Sequence, residues 1–276
     1  MTTMAYSAGR VGVPDKGQII APPDSDLWLG SQGRRTARSP IADKQYSLAR
    51  IAIFAGLPTD AIKRIERRCA WRRYEPAEPI VNYLDASDDV FFVSVGEVRV
   101  TIYASAGKAV SFRELRAGDI FGEYTAIDRG PRSASVEART NCLIASMSGS
   151  AFRELVATEP GLAQALLPVL VSTIRALNTR VFEFSTLAVN NRIQAELLRL
   201  AAVGSPQGNS ARIVPAPTHV EIASRVSTHR EAVTRELNRL TKIGIVERRG
   251  GTLLVKDLDR LGQMVQDATG EPFRLQ

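Results

Sequence analysis

Between residues 74 and 148 apolar side chains alternate with polar ones, and after Phe152 they recur at every third or fourth position through a long stretch. Period two belongs to strands and a period near 3.6 to helices, so the chain must fold as a β-rich unit followed by a helical one. Val90-Phe-Phe-Val-Ser-Val, then Gly96-Glu97, then Val98-Arg-Val-Thr-Ile-Tyr reads as a hairpin, and Gly107-Lys108 and Gly118-Asp119 mark further turns. Many short strands with glycine turns predict a rolled β domain. Ahead of it, Ile53, Leu57, Ile62 and Ile65 keep helical spacing, with Pro58 near the helix start.

Beyond Phe152, Leu170, Ile174, Leu177, Val181, Phe184 and Ala188 are spaced 4, 3, 4, 3, 4. That is a heptad seam, narrower than the stripe a helix buries on a broad core. It predicts a parallel two-fold homodimer through this helix. The expected organisation is a disordered tail over 1–45, rich in Gly, Pro, Ser, Asp and Arg, in which Trp28 reads as a stray aromatic; a β-roll domain over 46–160; a dimerisation helix over 161–189; and a second domain over 190–276. The fold class is α+β.

At 276 residues the chain has room for two domains. No run approaches the roughly 18 apolar residues of a membrane span, and the N-terminus lacks a signal-peptide core, so the expectation is a cytoplasmic protein with no membrane partner. Cys69 and Cys142 form no cluster and read as small buried hydrophobes. The formal charge of +7 favours a polyanion, with nucleic acid leading.

Phe121 to Val136 reads FGEYTAIDRGPRSASV and sets Glu123 and Arg132 nine residues apart between strand-like segments. A ribose cyclic phosphate presents one anionic phosphate and one free 2′-hydroxyl. It therefore calls for a guanidinium and a hydroxyl acceptor, with backbone amides from the intervening turn adding to the anion site. The same residues resemble the phosphate-binding cassette of the cyclic-nucleotide-binding domains, which are eight-stranded β-rolls. The resemblance implies that Glu123 holds the ribose 2′-OH and Arg132 the phosphate, with Ser133 and the Gly122 amide adding hydrogen bonds. It also implies that Asn178 on the long helix reaches the base. Tyr124 stands where that family mostly has a small aliphatic residue, and Leu84 where a turn glycine is common.

In the second domain, His219 to Val226 and Arg230 to Ile243 show helical periodicity on either side of Ser227-Thr228-His229. Thr218 and Glu221 form a capping box for the first helix, and Ser227 or Thr228 can cap the second. Ile245 to Val255 turns at Gly250-Gly251 as a hairpin. This is a winged helix-turn-helix. Arg230, Glu231 and Arg235 occupy the first turns of its second helix, where side chains reach base edges in the major groove; Thr228, His229 and Arg239 flank them. Between Arg225 and Arg249 seven Lys or Arg stand against three Glu, a net +4.

A roll, a dimer helix and a winged helix-turn-helix in this order resemble the Crp/Fnr family of bacterial transcription regulators, over about residues 48–260. His229-Arg230-Glu231-Ala232-Val233-Thr234-Arg235 matches its recognition pattern except at His229. The resemblance implies double-stranded DNA with a TGTGA-like half-site, RNA polymerase as a partner, and cAMP as the cyclic-nucleotide effector. Two separated cysteines cannot hold an iron–sulfur cluster, and both histidines lie in the second domain, so neither cluster nor haem is expected. No nucleophile is paired with a histidine and no metal-ligand spacing occurs, so no enzyme activity is expected. Two alternatives stand: the same DNA-binding regulator with a roll that senses another ligand or none, and a cyclic-nucleotide-controlled regulatory subunit of an enzyme assembly.

Overall fold

The computed structural model describes residues 46–103 and 109–270. The expected tail over 1–45, Trp28 and the turn at Gly107-Lys108 lie outside the described residues. Eight strands form two four-stranded antiparallel sheets: β1 (Ala70–Tyr74), β8 (Cys142–Met147), β3 (Val90–Val95) and β6 (Ile120–Phe121) in one, β2 (Pro79–Val81), β7 (Ser135–Ala138), β4 (Glu97–Tyr103) and β5 (Ala109–Arg116) in the other. Their inner faces bury Tyr74, Val93, Val98, Leu115, Val136 and Ile144 against one another. This is the expected roll.

The predicted β3–β4 hairpin does not form. β3 pairs with β6 and β8, whereas β4 pairs with β5 and β7. Between them the chain changes sheet at Gly96, whose φ is 92° and whose Cβ, if present, would stand 2.6 Å from the Asn141 carbonyl oxygen and the Cys142 Sγ. A glycine turn between two alternating runs fits a hairpin and a sheet-to-sheet corner equally well, and only the close approach of Asn141 and Cys142 selects the corner.

The outer face of the first sheet is covered by helices. A 3₁₀ turn at Ala52–Phe54, α1 (Thr59–Glu66, with Pro58 at its N-cap), α2 (Glu123–Asp128), α3 (Gly149–Thr158) and the start of α4 (Pro160–Thr186) surround a core that includes Trp71, Phe92, Phe152 and Leu162. Both cysteines are buried, and burial pushes the Cys69 thiol up to about 12. Along α4 the expected seam is only partly free. Leu170 packs on the core and Ala188 lies past the helix end, while Ile174, Leu177, Val181 and Phe184 are exposed. By length and composition α4 could also cross a membrane, which the count of consecutive apolar residues had not suggested.

After α4 come α5 (Val189–Val203), β9 (Ser205–Gln207), β10 (Ser210–Ile213), α6 (His219–Arg225), α7 (Arg230–Lys242), β11 (Val246–Arg249), β12 (Thr252–Val255) and α8 (Leu258–Thr269). Ile193, Leu197, Ile222, Val233, Leu237, Leu253 and Leu261 form a separate core. The Gly250-Gly251 hairpin is present and belongs to a four-stranded sheet ordered β11-β12-β10-β9. The polar segment after Gly204 therefore contributes two of its strands, β9 and β10. The Thr218–Glu221 capping box closes α6 as the sequence predicts. The second helix differs: its N-cap is His229 with no side-chain cap bond, and Ser227 takes a positive φ of 52° in the turn.

Candidate ligand pocket and DNA-reading helix

A cavity of about 450 Å³ lies between β4, β5, β7, the β6–α2 corner and α4, a volume suited to a small organic ligand. Gly122, Glu123, Arg132 and Ser133 all line it. Arg132 is 2% exposed, yet it enters no ion pair among the described residues. Its Nε donates to Ser87 Oγ (3.1 Å), Nη1 to the Gly122 carbonyl (3.3 Å) and Nη2 to the Asp89 carbonyl (2.8 Å), and its guanidinium carbon sits 5.5 Å from the centre of the Phe91 ring. Of five N–H groups, three hold the side chain and two remain for an anion. Burial lowers its pKa, opposed by Asp89, Asp88, Asp85 and Glu123.

Gly122 is needed where it stands. It caps α2 with φ 81°, and a Cβ there would come within 2.7 Å of both Arg132 Nη1 and the Asp89 carbonyl oxygen. Glu123 begins α2 at 5% exposure, and burial raises its pKa against the pull of its own backbone amide, Arg113 and Arg132. Glu123 and Arg132 thus share one cavity without neutralising each other.

Asn178 does not line this cavity and is exposed. The residues α4 presents to it are Ser172, Thr173, Ala176, Leu177 and Arg180, one helical face from which Asn178 is rotated away. Sequence reasoning also missed Arg113 and Thr173, while Tyr124 was noted only as a departure from the family's cassette. Arg113 Nη1 donates to Thr173 Oγ1 at 3.1 Å, tying β5 to α4, and Tyr124 lines the cavity. Alternation along β5 carried the signal for Arg113, because Leu115 faces inward two residues later.

In the second domain His229, Arg230, Glu231 and Arg235 are exposed, and Thr228 is half-buried with its amide bonded to the Ala223 carbonyl. None of Arg230, Glu231 and Arg235 enters an ion pair among the described residues, so three charges at the start of α7 are free for a partner. Val233, Leu237 and Leu240 bury the opposite face. Arg239 is different. It donates through Nε and Nη2 to both oxygens of Glu236 (2.9 and 2.7 Å), and the buried Glu236 also accepts from Gln194 (2.6 Å). On the wing, Glu247 pairs with Arg249 and Lys256. His219 Nδ1 lies 2.8 Å from Thr234 Oγ1, and burial, Arg248 and Arg230 together lower its pKa.

A nucleotide-sized cavity in a β-roll, followed by a helix-turn-helix with unpaired charges on its second helix, defines a DNA-binding regulator with a cyclic-nucleotide-binding type of sensor. Comparison with known proteins bears on both halves. Residues 71–159 match the family described as Cyclic nucleotide-binding domain, and residues 191–264 match the Crp-like helix-turn-helix domain. The chain is 27% identical over 217 residues to the "CRP-like cAMP-activated global transcriptional regulator" of Mycobacterium tuberculosis, covering 78% of this chain and 97% of that one. It is 29% identical over 208 residues to the "cAMP-activated global transcriptional regulator Vfr" of Pseudomonas aeruginosa, covering 71% and 95%. Among solved structures, a CooA mutant from Carboxydothermus hydrogenoformans superposes with a TM-score of 0.64 at 25% identity, over 72% of this chain and 88% of that one. The chain belongs to the Crp/Fnr family of transcription regulators, which are not enzymes.

Proposed function

We propose that this protein is a homodimeric, cyclic-nucleotide-gated transcription regulator that binds a palindromic DNA site, with cAMP as its effector. The observation that carries this reading is Arg132, a buried guanidinium fixed by two backbone carbonyls and a hydroxyl, with two N–H groups left over beside a cavity that also holds Glu123. A buried cation without a counter-ion is costly unless an anion completes it. The cyclic phosphate supplies that anion, and the ribose 2′-hydroxyl supplies a donor for Glu123. cAMP is preferred over cGMP because the curated relatives quoted above are described as cAMP-activated.

The exposed seam of Ile174, Val181 and Phe184 supports dimerisation, and a two-fold dimer reads two half-sites about one helical turn apart. The output is DNA binding in the cytoplasm, with RNA polymerase as the partner that makes the bound regulator effective. Arg113 and Arg180 favour a second reading, in which the roll takes a more highly charged anion than a cyclic mononucleotide, because both add guanidinium groups to the cavity. Calorimetry with cAMP and cGMP, followed by DNA binding with and without each, tests the proposal. Stoichiometric cAMP binding that tightens DNA binding is the expected result; absence of binding by either nucleotide would overturn the sensor half.

A further inference from the structure

The roll does not merely precede the DNA-binding domain; it grips the first helix of it. Glu114 on β5 accepts hydrogen bonds from three guanidiniums: Arg99 on β4 (3.2 Å), Arg139 after β7, and Arg225 at the end of α6 (2.6 Å). Arg99 and Arg139 also donate to Glu221 on α6, at 2.6 and 3.0 Å. Two carboxylates and three guanidiniums thus alternate across the boundary, two residues on α6 facing three on the roll. Burial pushes both carboxylates up, yet the surrounding bonds win. The guanidiniums hold Glu114 below the usual range, and the Thr218 amide with Arg99 and Arg139 holds Glu221 down to about 2.

We propose that this cluster is a latch that holds the DNA-binding domain against the roll and off DNA. In a helix-turn-helix the first helix crosses the DNA backbone while the second enters the groove. Here α6 has only two turns, and its Glu221 and Arg225 side chains are tied to β4, β5 and the residue after β7, so that face is denied to a phosphate backbone while the roll is there. The contact also removes Arg225 from the charge available to DNA, since Glu114 and Glu196 both hold it. The paired side chains keep 14–26% of their surface in solvent, and the buried Arg99 Nε has no partner among the described residues, so solvent ions and a competing polyanion can reach the cluster.

The inference rests on the DNA-binding role alone and not on the effector, so its test needs no nucleotide. Arg99→Gln and Arg139→Gln each subtract a positive charge, which by itself weakens binding to a polyanion. If the cluster is a latch, the double variant of the full-length protein should bind a symmetric TGTGA-type duplex about tenfold more tightly than wild type with no nucleotide present, in the range of ordinary coupling between sites. Backbone amides of 219–226 should exchange faster in the same variant. Unchanged or weaker DNA binding, or unchanged exchange in α6, would overturn the latch. Glu114→Gln, which keeps the shape of the hub, should give the same gain, and opposite responses from the two variants would reduce the result to simple charge effects and overturn it equally.

Discussion

The pocket and the recognition helix both rely on arginine, and they hold it in opposite ways. Arg132 is buried, bonded at three of its donors and stacked near Phe91 by the protein's own groups. Arg230 and Arg235 are exposed and unpaired. A small anion must be met by a site that has already undergone desolvation and ordering, because it offers few contacts to offset those costs. A DNA duplex offers many phosphates, so side chains that adapt on contact suffice. Single changes in the pocket should therefore act almost as all-or-none losses, and those on the helix as graded ones.

The sharpest way to separate the two regions is to break what joins two copies of the chain. Ile174→Asp with Val181→Asp places two charges in the exposed seam of α4, and each should cost roughly 3–5 kcal/mol if buried in a dimer. Neither residue lines the cavity, whereas Leu177 does and is avoided for that reason. The expected outcome is a monomer by sedimentation that still binds nucleotide but has lost its DNA affinity. A variant that remains dimeric would move the interface elsewhere.

Within the pocket, Arg132→Ala should remove nucleotide binding, a loss of roughly 2–5 kcal/mol by analogy with buried charge pairs. Gly122→Ala should do nearly as much, since the new Cβ would meet Arg132 and strain a left-handed φ. Titration calorimetry reads both. An Arg132 variant with wild-type affinity would end the assignment.

On the helix the corresponding change is smaller. Arg230→Ala should cost roughly 1–3 kcal/mol and relax preference at one base pair in each half-site. Binding to a symmetric site and its single-base mutants checks this, and a loss equal on every sequence would make Arg230 a phosphate contact.

How far each region could be read in advance follows from how it is built. The helix-turn-helix draws its candidate reading residues from one contiguous stretch, so the capping box at Thr218–Glu221 and the placing of Arg230, Glu231 and Arg235 in the first turns of the second helix are legible in the sequence. The pocket is assembled from distant strands and a helix. Its cassette at Gly122 to Ser133 is local and legible, but Arg113, Thr173 and Arg180 meet it only through tertiary packing, and Asn178 was placed without knowing which face of α4 turns inward. The sheet-changing corner at Gly96 escaped for a similar reason: alternation gives the strands and not their partners.

Arg180 tests whether the two regions communicate. It lines the cavity, and its Nη1 donates to the Arg225 carbonyl at 2.8 Å and lies 3.7 Å from Glu196. With nucleotide at saturation, Arg180→Gln should shrink the change in DNA affinity that nucleotide produces, by up to about 1 kcal/mol. Equal coupling in variant and wild type would assign the communication to another path.

The smallest expected effect on DNA is at Arg239, and the structure gives the reason. The sequence places Arg239 two turns along the recognition helix, where it could reach only phosphate. In the fold, two of its donors are committed to Glu236, whose carboxylate is buried and also bonded to Gln194. Half of the Arg239 side chain nonetheless remains in solvent, so any phosphate contact must share the guanidinium with Glu236. Arg239→Ala should therefore weaken all DNA sequences alike by no more than about 0.5 kcal/mol, the scale of an exposed charge contact. Its larger effect should fall on the domain itself, because removing the guanidinium leaves a buried carboxylate with one partner fewer, at roughly 1–2 kcal/mol. Thermal unfolding and DNA binding at several salt concentrations separate the two. A variant with an unchanged melting midpoint and a tenfold loss on every sequence would show that Arg239 serves the DNA and not Glu236, as a phosphate contact of a different kind from the base-reading Arg230.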